Sequence, residues 1–430
     1  MNRGCRVAGI FLLALIIYAI SFVTLGLRLG FSELMGVLLV VHPLLFIVAY
    51  FILKKLTKFS DPYLMILVGL LTGIGLVILY RIDVALNVLD ANAISARQLV
   101  AIALGLFVMI IVAVLFRDSR RLESWSLPML IGGLILMGMT LVFGKEAGGS
   151  RAWLVIGSFN LQPSELFKVF MIIYLASYLG KYRKQYGQVP PDWWQKPKMI
   201  LAYFGPLLVM ETLALLIAVV QRDLGMALLY FGLFLLLLYD ATSRFILVVI
   251  GSGLGALGLA IASMLFTHVH TRLSVWLHPW ADPTGTGYQM VQSLLAIRSG
   301  GLSGQGLGNG LPLRIPAAHT DFIFSVWAEE MGLVGSVALL LLFFFLVQRS
   351  LILARLNGNP FLQLLAVGIA GLFGLQILVI VGGTVGLLPL TGVTLPFLSY
   401  GGSSIISSFL AIGLLTVVGQ TVGGSSNAGC

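Results

Sequence analysis

The sequence predicts an all-α polytopic membrane protein, and three features of its composition support this. Only 10% of its 430 residues are Asp, Glu, Lys or Arg, whereas about 25% is typical of soluble domains. Apolar residues make up 59% of the chain, and several runs approach the ~20 residues needed to cross a hydrocarbon core. Because so few charges could not hydrate the surface of a soluble fold of this size, we predict membrane insertion.

We predict about twelve membrane spans from these apolar runs. Their approximate ranges are 6–27, 34–53, 62–80, 98–116, 125–143, 164–180, 199–220, 224–239, 245–266, 322–347, 361–387 and 400–420. The first run follows Arg3 and Arg6 as a signal peptide would, but no small-residue cleavage site follows it cleanly. We therefore expect an uncleaved first helix, with no soluble domain and no strong internal repeat.

Lys and Arg residues are unevenly distributed among the loops. With the N-terminus inside, 16 of the 26 lie on the cytoplasmic side: Arg3, Arg6, Lys54, Lys55, Lys58, Arg117, Arg120, Arg121, Lys181, Arg183, Lys184, Lys196, Lys198, Arg244, Arg349 and Arg355. Basic residues are enriched in cytoplasmic loops, so both termini are predicted to be cytoplasmic. The loops 144–163 and 267–321 are then extracytoplasmic, the second one between spans 9 and 10.

The net charge of +10 does not indicate a nucleic-acid-binding protein, because the basic residues are scattered over short loops and form no patch. Cys5 and Cys430 lie at opposite ends of the chain and define neither a disulfide framework nor a metal site. Membrane lipids are therefore the first expected partners.

A first group of polar residues lies between Gly149 and Lys168, where a helix start is predicted at 163–164. Glu165 and Lys168 are three residues apart, so they share a helix face and can pair. The pair either holds two helices together or places a cation beside a polar cavity. Trp153 fits an interface anchor or a platform for a sugar or lipid.

A second group contains Arg222 and Asp223, between spans 7 and 8. These two charges either pair at the membrane surface or contribute to a site. Ionisable residues at membrane depth are costly and are functional candidates by default.

The third group is the long loop 268–321, which contains Trp276 and an amphipathic stretch at 290–297 and is therefore expected to be ordered. Asp282 either starts a turn before Pro283 or acts in catalysis. The glycine-rich segment 300–306 either forms simple turns or presents backbone N–H groups to an anion.

His319 and Asp321 end this loop, and Glu329 and Glu330 follow inside the next apolar span. Adjacent glutamates at membrane depth are hard to explain by packing, so one of them is expected to pair with a basic residue on a neighbouring helix.

A last polar segment, with Ser399 and Tyr400, breaks the chain before the final span. Its hydroxyls either line a cavity or belong to a re-entrant turn.

Taken together, these segments resemble the SEDS family, the RodA, FtsW and SpoVE proteins. The matching motifs are, in order, GSRAW with LQPSELFK, QRDLG, ADPTGTGYQMVQS, GGLSGQG, HTDFIFSVWAEEMG and PFLSYGGSS. The resemblance implies a ten-helix core over 61–420, preceded by a two-helix addition at 1–60 and followed by a cytoplasmic tail at 421–430.

The resemblance also implies a function in the bacterial cytoplasmic membrane. The family polymerises lipid II, a disaccharide pentapeptide linked to undecaprenyl pyrophosphate, into peptidoglycan on the outer face, usually with a class B penicillin-binding protein. The alternatives are a lipid II flippase and a non-catalytic scaffold for the penicillin-binding protein. Because transporters often show repeats and broken helices in matching halves, the absence of a strong repeat favours the enzyme.

Polymerisation requires an acceptor hydroxyl to lose its proton as it attacks the anomeric carbon, and one carboxylate can serve as the base. The resemblance places Asp282 at the position of the family's proposed essential aspartate. The pyrophosphate leaving group needs cations or backbone donors. The cationic candidates are Arg151, Lys168, Arg222 and Arg298.

Further residues match family motifs. Trp153 matches a tryptophan linked to activity, and Glu165 and Lys168 match a paired Glu and Lys. A divalent cation can assist such chemistry, but no cluster of ligands in the sequence demands one. The chain departs from the family's usual residues at Arg222, where proline is common, and at Ala317, where glutamate is common.

Overall fold

The protein is predominantly helical, as the sequence predicts. A computed structural model describes residues 3–57, 61–147, 150–157, 159–188 and 197–425. Its helices are α1 (Arg3–Leu29), α2 (Glu33–Leu56), α3 (Pro62–Leu86), α4 (Ile94–Leu115), α5 (Ser119–Ser124), α6 (Ser126–Phe143), α7 (Pro163–Gln188), α8 (Pro197–Val220), α9 (Leu224–Thr242), α10 (Phe245–Leu265), α11 (Thr267–Leu277), α12 (Tyr288–Gly300), α13 (Ile323–Arg355), α14 (Pro360–Thr384) and α15 (Gly402–Ser425). Lys58, Gly149, Lys196 and the tail after Ser425, all considered above, lie outside the described residues.

Each predicted span coincides with one long helix, and the predicted boundaries differ from the observed ones by a few residues at most ends. Within the described ranges, ten helices are long and apolar enough to cross a membrane. Helices α7 and α8 are outside this set, and α8 contributes the shorter apolar stretch Phe204–Val220. The short eighth predicted span is α9, which at 19 residues is among the ten.

The chain divides into two compact units. The first comprises residues 1–115, 271–349 and 376–430, and the second comprises 116–270 and 350–375. In the first unit α4 packs against α15, and α3 packs against α1, α2 and α4. Gly413 allows the close approach of α15 to α4, because an added Cβ would lie 3.0 Å from the carbonyl oxygen of Met109.

The second unit is built around α7 and α9. Helix α7 packs against α6 and α9, and α9 also contacts α8 and α10. Helix α10 buries none of its apolar window inside the protein, whereas α9 buries more than half. An apolar helix with no side chain buried in the protein is typical of a membrane span that faces lipid.

The second unit also contains a small antiparallel sheet that the sequence analysis did not predict. It consists of β1 (Lys145–Ala147), β2 (Ser150–Ile156) and β3 (Phe159–Leu161), in that order. Strand β2 ends in the run Leu154-Val155-Ile156, which favours extended structure. The run is too short to be distinguished by periodicity from the apolar helices on either side.

The long loop of the first unit is ordered, as its aromatic residues and amphipathic stretch predict. The amphipathic stretch lies in α12, and α11 begins the loop. The indole N–H of Trp276 donates to the carbonyl of Gly386 at 3.0 Å, and Arg272 donates to the carbonyl of Thr391 at 3.2 Å. Helix α11 is therefore fixed to the segment that follows α14.

Candidate active site

Asp282 is exposed on the long loop, directly after a single 3-10 turn at Pro279–Ala281. Its Oδ1 accepts a hydrogen bond from the backbone N–H of Gly285 at 3.0 Å. Its Oδ2 accepts from the backbone N–H and the hydroxyl of Thr286, at 2.7 and 3.2 Å. The side chain thus initiates a turn, as an aspartate before proline can, and the turn fixes the carboxylate at the protein surface.

These hydrogen bonds also set the ionisation of Asp282. The backbone N–H of Thr286 contributes most to lowering the pKa of Asp282 below its ordinary value, and the Thr286 hydroxyl contributes next. The carboxylate is therefore ionised throughout the physiological range. A carboxylate has about four acceptor positions, so the three bonds formed here leave room for a substrate hydroxyl.

Replacing Thr286 by valine removes one of the three donors, so we expect the pKa of Asp282 to rise toward its ordinary value. If Asp282 acts as a base, activity is lost as the pH falls through this pKa, and the acid limb of the pH profile of kcat/KM moves to higher pH. Thr284→Val is the control, because the three hydrogen bonds to the carboxylate come from Gly285 and Thr286. An acid limb unchanged by Thr286→Val would show that another group titrates.

The segment from His319 to Asp321 is joined to the turn before α15. The backbone N–H of Tyr400 donates to the carbonyl of His319 at 2.8 Å, and the two rings are 5.9 Å apart. The Ser399 hydroxyl donates to the carbonyl of Thr320 at 2.7 Å, and Gln98 of α4 donates to the carbonyl of Ser399 at 3.1 Å. Ser399 and Tyr400 therefore stabilise an ordered turn.

The surroundings of His319 favour the electrically neutral form of its ring. Burial lowers the pKa of His319, and the nearby charge of Asp83 only partly offsets this effect. Asp83 accepts hydrogen bonds from the backbone N–H groups of Ile94 and Ser95, both at 2.8 Å, and so caps the start of α4. A neutral imidazole can donate or accept a hydrogen bond, but it does not supply a permanent positive charge to pyrophosphate.

Asp321 is half-buried beside Arg272, and burial raises its pKa to about 6, with the Thr320 hydroxyl and Arg272 partly opposing. The folded state therefore holds this proton more tightly than the unfolded chain, whose aspartate pKa is about 3.9. Stability from this proton is complete below the unfolded pKa and is lost as pH rises through about 6. We expect Asp321→Asn to remove this decline, measured as Tm against pH; an identical decline in the variant would contradict the assignment.

Glu329 and Glu330 lie immediately before a break in α13 at Gly332, where φ is 64°. Arg81 of α3 donates from Nε to Oε1 of Glu330 at 3.1 Å and from Nη2 to the carbonyl of Gly310 at 2.8 Å. Both partners of this ion pair are nearly inaccessible to solvent. Glu330 thus pairs with a basic residue of another helix.

The glycine-rich segment, which continues in the structure as far as residue 311, binds these same glutamates, and this favours simple turns over an anion-binding nest at 300–306. Gln305 and Gly306 donate their backbone N–H groups to the carbonyls of Glu329 and Glu330, at 3.0 and 2.9 Å. Residues 308–311 donate three more N–H groups to the two carboxylates at 3.0–3.2 Å. Internal acceptors therefore use the N–H groups that an external phosphate would need.

Arg298 lies in the last turn of α12 and is exposed. Among the described residues its guanidinium has no hydrogen-bond or ion-pair partner. Asp282 precedes α12 and Arg298 ends it, so one short helix fixes the positions of the two. Of the four predicted cations, Arg298 is the one whose charge is available in this state.

In the second unit, Glu165 and Lys168 form a hydrogen-bonded ion pair near the start of α7, and both side chains are almost completely buried. The helix begins at Pro163, so Ser164 lies inside its first turn. Ser164 uses its carbonyl to accept the Tyr230 hydroxyl of α9 at 2.9 Å. Neither side chain reaches the protein surface in this state. This favours the alternative in which the pair holds helices together over the one in which Lys168 lies beside a polar cavity.

The first two polar groups of the sequence form one network, and Gln221 connects them. The side-chain amide of Gln221 donates to the hydroxyl of Thr140 at 2.6 Å. Its backbone carbonyl accepts the N–H of Arg151 and the hydroxyl of Ser150, both at 3.0 Å. Gln221 therefore links the sheet, α6 and the connection between α8 and α9.

Arg151 and Arg222 are both exposed and both engaged. Arg151 donates from Nε to the carbonyl of Gly144 at 3.0 Å, at the C-terminal end of α6, where a positive charge is favourable. Arg222 lies 3.6 Å from Glu146, with both side chains more than half exposed. Neither guanidinium is a free cation, although exposed contacts of this kind are weak enough to exchange.

Asp223 caps the start of α9. Its Oδ1 accepts the backbone N–H of Met226 at 3.2 Å, and its Oδ2 accepts the amide of Gln162 at 3.1 Å. Trp153 is half-buried on β2, opposite Lys145 of β1. This position is compatible with an interface anchor and with a platform for a ligand.

The two positions where the chain departs from the family's usual residues share a backbone property. Arg222 has φ 62° and Ala317 has φ 52°, both in the left-handed region. Proline cannot adopt this conformation because its ring fixes φ near −65°. Proline at position 222 would therefore require a different local backbone.

Sequence reasoning missed four polar residues that lie inside predicted spans or at their ends. They are Arg81, Asp83, Gln98 and Glu211. The cost of burying polar groups in lipid, applied to every residue of each span, would have identified them. Within the described ranges, no group of three or more His, Cys, Asp or Glu residues is arranged to hold a metal ion.

The long apolar helices of the described residues, ten of which are able to cross a membrane, define a multi-pass α-helical membrane protein. Comparison with known sequences is more specific: the profile of the FtsW/RodA/SpoVE family, described as a cell cycle protein, matches residues 61–422. The chain therefore belongs to this family.

Individual relatives agree with this assignment. Peptidoglycan glycosyltransferase RodA of Mycobacterium tuberculosis (strain H37Rv) is 34% identical over 380 residues, covering 85% of this chain and 79% of that protein. A probable peptidoglycan glycosyltransferase FtsW of Geobacter metallireducens is 36% identical over 385 residues, covering 87% of this chain and 98% of the relative.

Two solved structures are also similar. One belongs to a peptidoglycan synthase complex that coordinates polymerization and crosslinking, with a TM-score of 0.67 and 28% identity over 84% of this chain and 98% of that chain. The other is the rod shape determining protein RodA of Thermus thermophilus, with a TM-score of 0.60 and 30% identity over 84% and 96%. The first two helices precede the residues that the family profile matches.

Proposed function

We propose that this chain is a peptidoglycan glycosyltransferase that polymerises lipid II into glycan strands on the outer face of the bacterial cytoplasmic membrane. Membership of the family and the names of its relatives support the reaction class. The observation that carries the proposal for the site is Asp282, an exposed, ionised carboxylate held by a turn on an ordered loop. Cell elongation, division and general shape are all compatible with this activity.

In the proposed reaction, an acceptor sugar hydroxyl attacks the anomeric carbon of the donor. The new glycosidic bond forms as the bond to the pyrophosphate oxygen breaks, and undecaprenyl pyrophosphate leaves with the electron pair. Asp282 takes the hydroxyl proton through its free acceptor position. A bound substrate would displace water from the carboxylate, and desolvation raises a carboxylate pKa, which strengthens the base at the moment of reaction.

The leaving pyrophosphate requires positive charge, and we assign its first contact to Arg298, which is exposed and free among the described residues. Arg151 and Arg222 can contribute if their surface contacts exchange. Lys168 can contribute only if it separates from Glu165, since the two form a buried pair. Glu329 and Glu330 serve as structural acceptors for the glycine-rich segment.

The distribution of Lys and Arg supports cytoplasmic termini and a position of Asp282 on the outer face, where lipid II polymerisation would occur. A class B penicillin-binding protein is the proposed partner, supported by the similarity to a synthase complex that also crosslinks.

The helices α1 and α2 form the proposed N-terminal addition. Helix α1 packs against the glycine-rich segment, since a Cβ added at Gly308 would lie 3.5 Å from the side chain of Leu25. We propose that α1 stabilises the position of this segment.

The proposal is tested with the purified chain in lipid vesicles that contain labelled lipid II and a penicillin-binding partner. Polymer is separated on a gel, while a membrane-impermeant reagent reports the lipid II exposed on each face. The enzyme produces polymer without accelerating translocation. Faster translocation without polymer would instead favour a flippase, and neither activity would favour a scaffold.

A further inference from the structure

Glu211 is a buried carboxyl group that none of the contacts above explains. It lies near the middle of the apolar stretch Phe204–Val220 of α8 and is the only ionisable side chain in that stretch. Its relative exposure is 4%. Among the described residues, neither of its carboxyl oxygens has a hydrogen-bond partner. With so little exposure, bulk water does not reach this group to compensate.

Within the part of the chain that the structure describes, the surroundings of Glu211 supply no free positive charge. Helix α8 packs against α6, α7 and α9. Helix α6 has no ionisable side chain. The ionisable groups in the first two turns of α7 are Glu165 and Lys168, and those at the start of α9 are Asp223 and Tyr230. The remaining charged residues of α7 and α9 lie toward the C-terminal ends of these helices: Lys181, Arg183, Lys184 and Asp240. Arg183 contacts Asp240 there.

Tyr230 lies near both Glu211 and the buried ion pair of Glu165 and Lys168. Its hydroxyl is fully buried and lies within electrostatic range of Asp223, Glu165 and Glu211. The single nearby cation, Lys168, is already bound to Glu165 among the described residues. An ionised Glu211 would therefore add an uncompensated negative charge to a desolvated cluster, a situation that costs several kcal/mol in proteins.

We propose that Glu211 is a proton-binding site within the membrane-embedded part of the second unit and that its carboxyl group is protonated and uncharged at neutral pH. A buried acid without a cationic partner avoids the cost of charge burial by keeping its proton. The cluster of Glu165, Lys168 and Glu211 is then electrically neutral. Loss of the proton would place a second negative charge near the pair of Glu165 and Lys168. The net charge of this cluster therefore depends on whether Glu211 holds its proton.

Infrared difference spectroscopy tests the protonation state directly. The purified native chain is compared with Glu211→Gln at neutral pH. We expect the native protein to show the carbonyl-stretch band of a protonated carboxylic acid, and the variant to lack it. Glu146→Gln is the matched control and should leave the band in place, because Glu146 is an exposed carboxylate in contact with Arg222.

A second variant keeps the test decisive if Glu211→Gln fails to fold. Glu211→Asp retains an acid, so the band should persist at a shifted frequency. A native spectrum without a protonated-acid band, or a band that survives in both position 211 variants without any shift, would overturn the proposal. Either result would mean that Glu211 is ionised and that a cation compensates its charge. Because no substrate is involved, the outcome does not depend on the proposed polymerase activity.

Discussion

We expect Asp282→Ala to lower the rate of glycan polymerisation by a factor of about 10²–10⁴, the usual contribution of a positioned acid or base. The substitution removes the only carboxylate of the turn at 282–286, together with three hydrogen bonds at the protein surface. Because Asp282 is exposed and packs against no core, the melting temperature should change little. Initial rates with labelled lipid II, measured alongside thermal unfolding, check both parts of the prediction.

Two controls separate chemistry from turn formation. Asp90 is another exposed loop aspartate that accepts a backbone N–H two residues later, so Asp90→Ala removes a similar turn without touching the site. Asp282→Asn keeps an acceptor oxygen for the turn but cannot act as a base. Full activity in Asp282→Asn would reduce Asp282 to a turn residue, and an equal loss in Asp90→Ala would point to general damage to the loops.

We expect Arg81→Ala to lower the free energy of unfolding by about 3–5 kcal/mol, because it leaves Glu330 buried without its cation. Arg81 also binds the carbonyl of Gly310, so the glycine-rich segment loses an anchor at the same time. Thermal or denaturant unfolding of the purified protein measures the change. Polymerisation should fall as well if this segment positions the loop that carries Asp282 and Arg298.

Arg222→Ala provides the comparison, since Arg222 contacts Glu146 with both side chains more than half exposed. Exposed ion pairs contribute only about 0–1 kcal/mol, so its stability should be close to that of the native chain. The double variant Arg81→Ala with Glu330→Gln should recover part of the loss, because no unpaired charge remains. Equal stability of Arg81→Ala and Arg222→Ala would show that the buried pair does not stabilise the fold.

Sequence periodicity and hydropathy were sufficient to predict the long helices, because a bilayer imposes a minimum length and an apolar composition on each of them. They were sufficient for α12 as well, whose amphipathic pattern is regular. They missed the three-stranded sheet, since strands of three to seven residues between apolar helices give no separate signal. The break at Gly332 was also missed, because a glycine in an apolar run does not reveal its backbone angles.

The candidate site was predictable as a set of residues but not as a set of contacts. Glu329 and Glu330 stood out because carboxylates are rare at membrane depth, yet their partners lie far away in sequence, on α3 and in the glycine-rich segment. The same distance in sequence concealed the role of Gln221, which joins α6 and β2. Glycine density left both simple turns and an anion site open, and the structure favours the turns, because internal carboxylates and carbonyls accept those N–H groups.

The most direct test of the central proposal is polymerisation of labelled lipid II by the purified chain and its penicillin-binding partner in detergent. Detergent micelles have no two membrane faces, so a flippase has nothing to transport and polymer can arise only from an enzyme. We expect glycan polymer from the native chain and none above background from a folded Asp282→Ala variant. Equal polymer from both would contradict the assignment of Asp282. No polymer from the native chain in complex with an active partner would contradict its assignment as a glycosyltransferase.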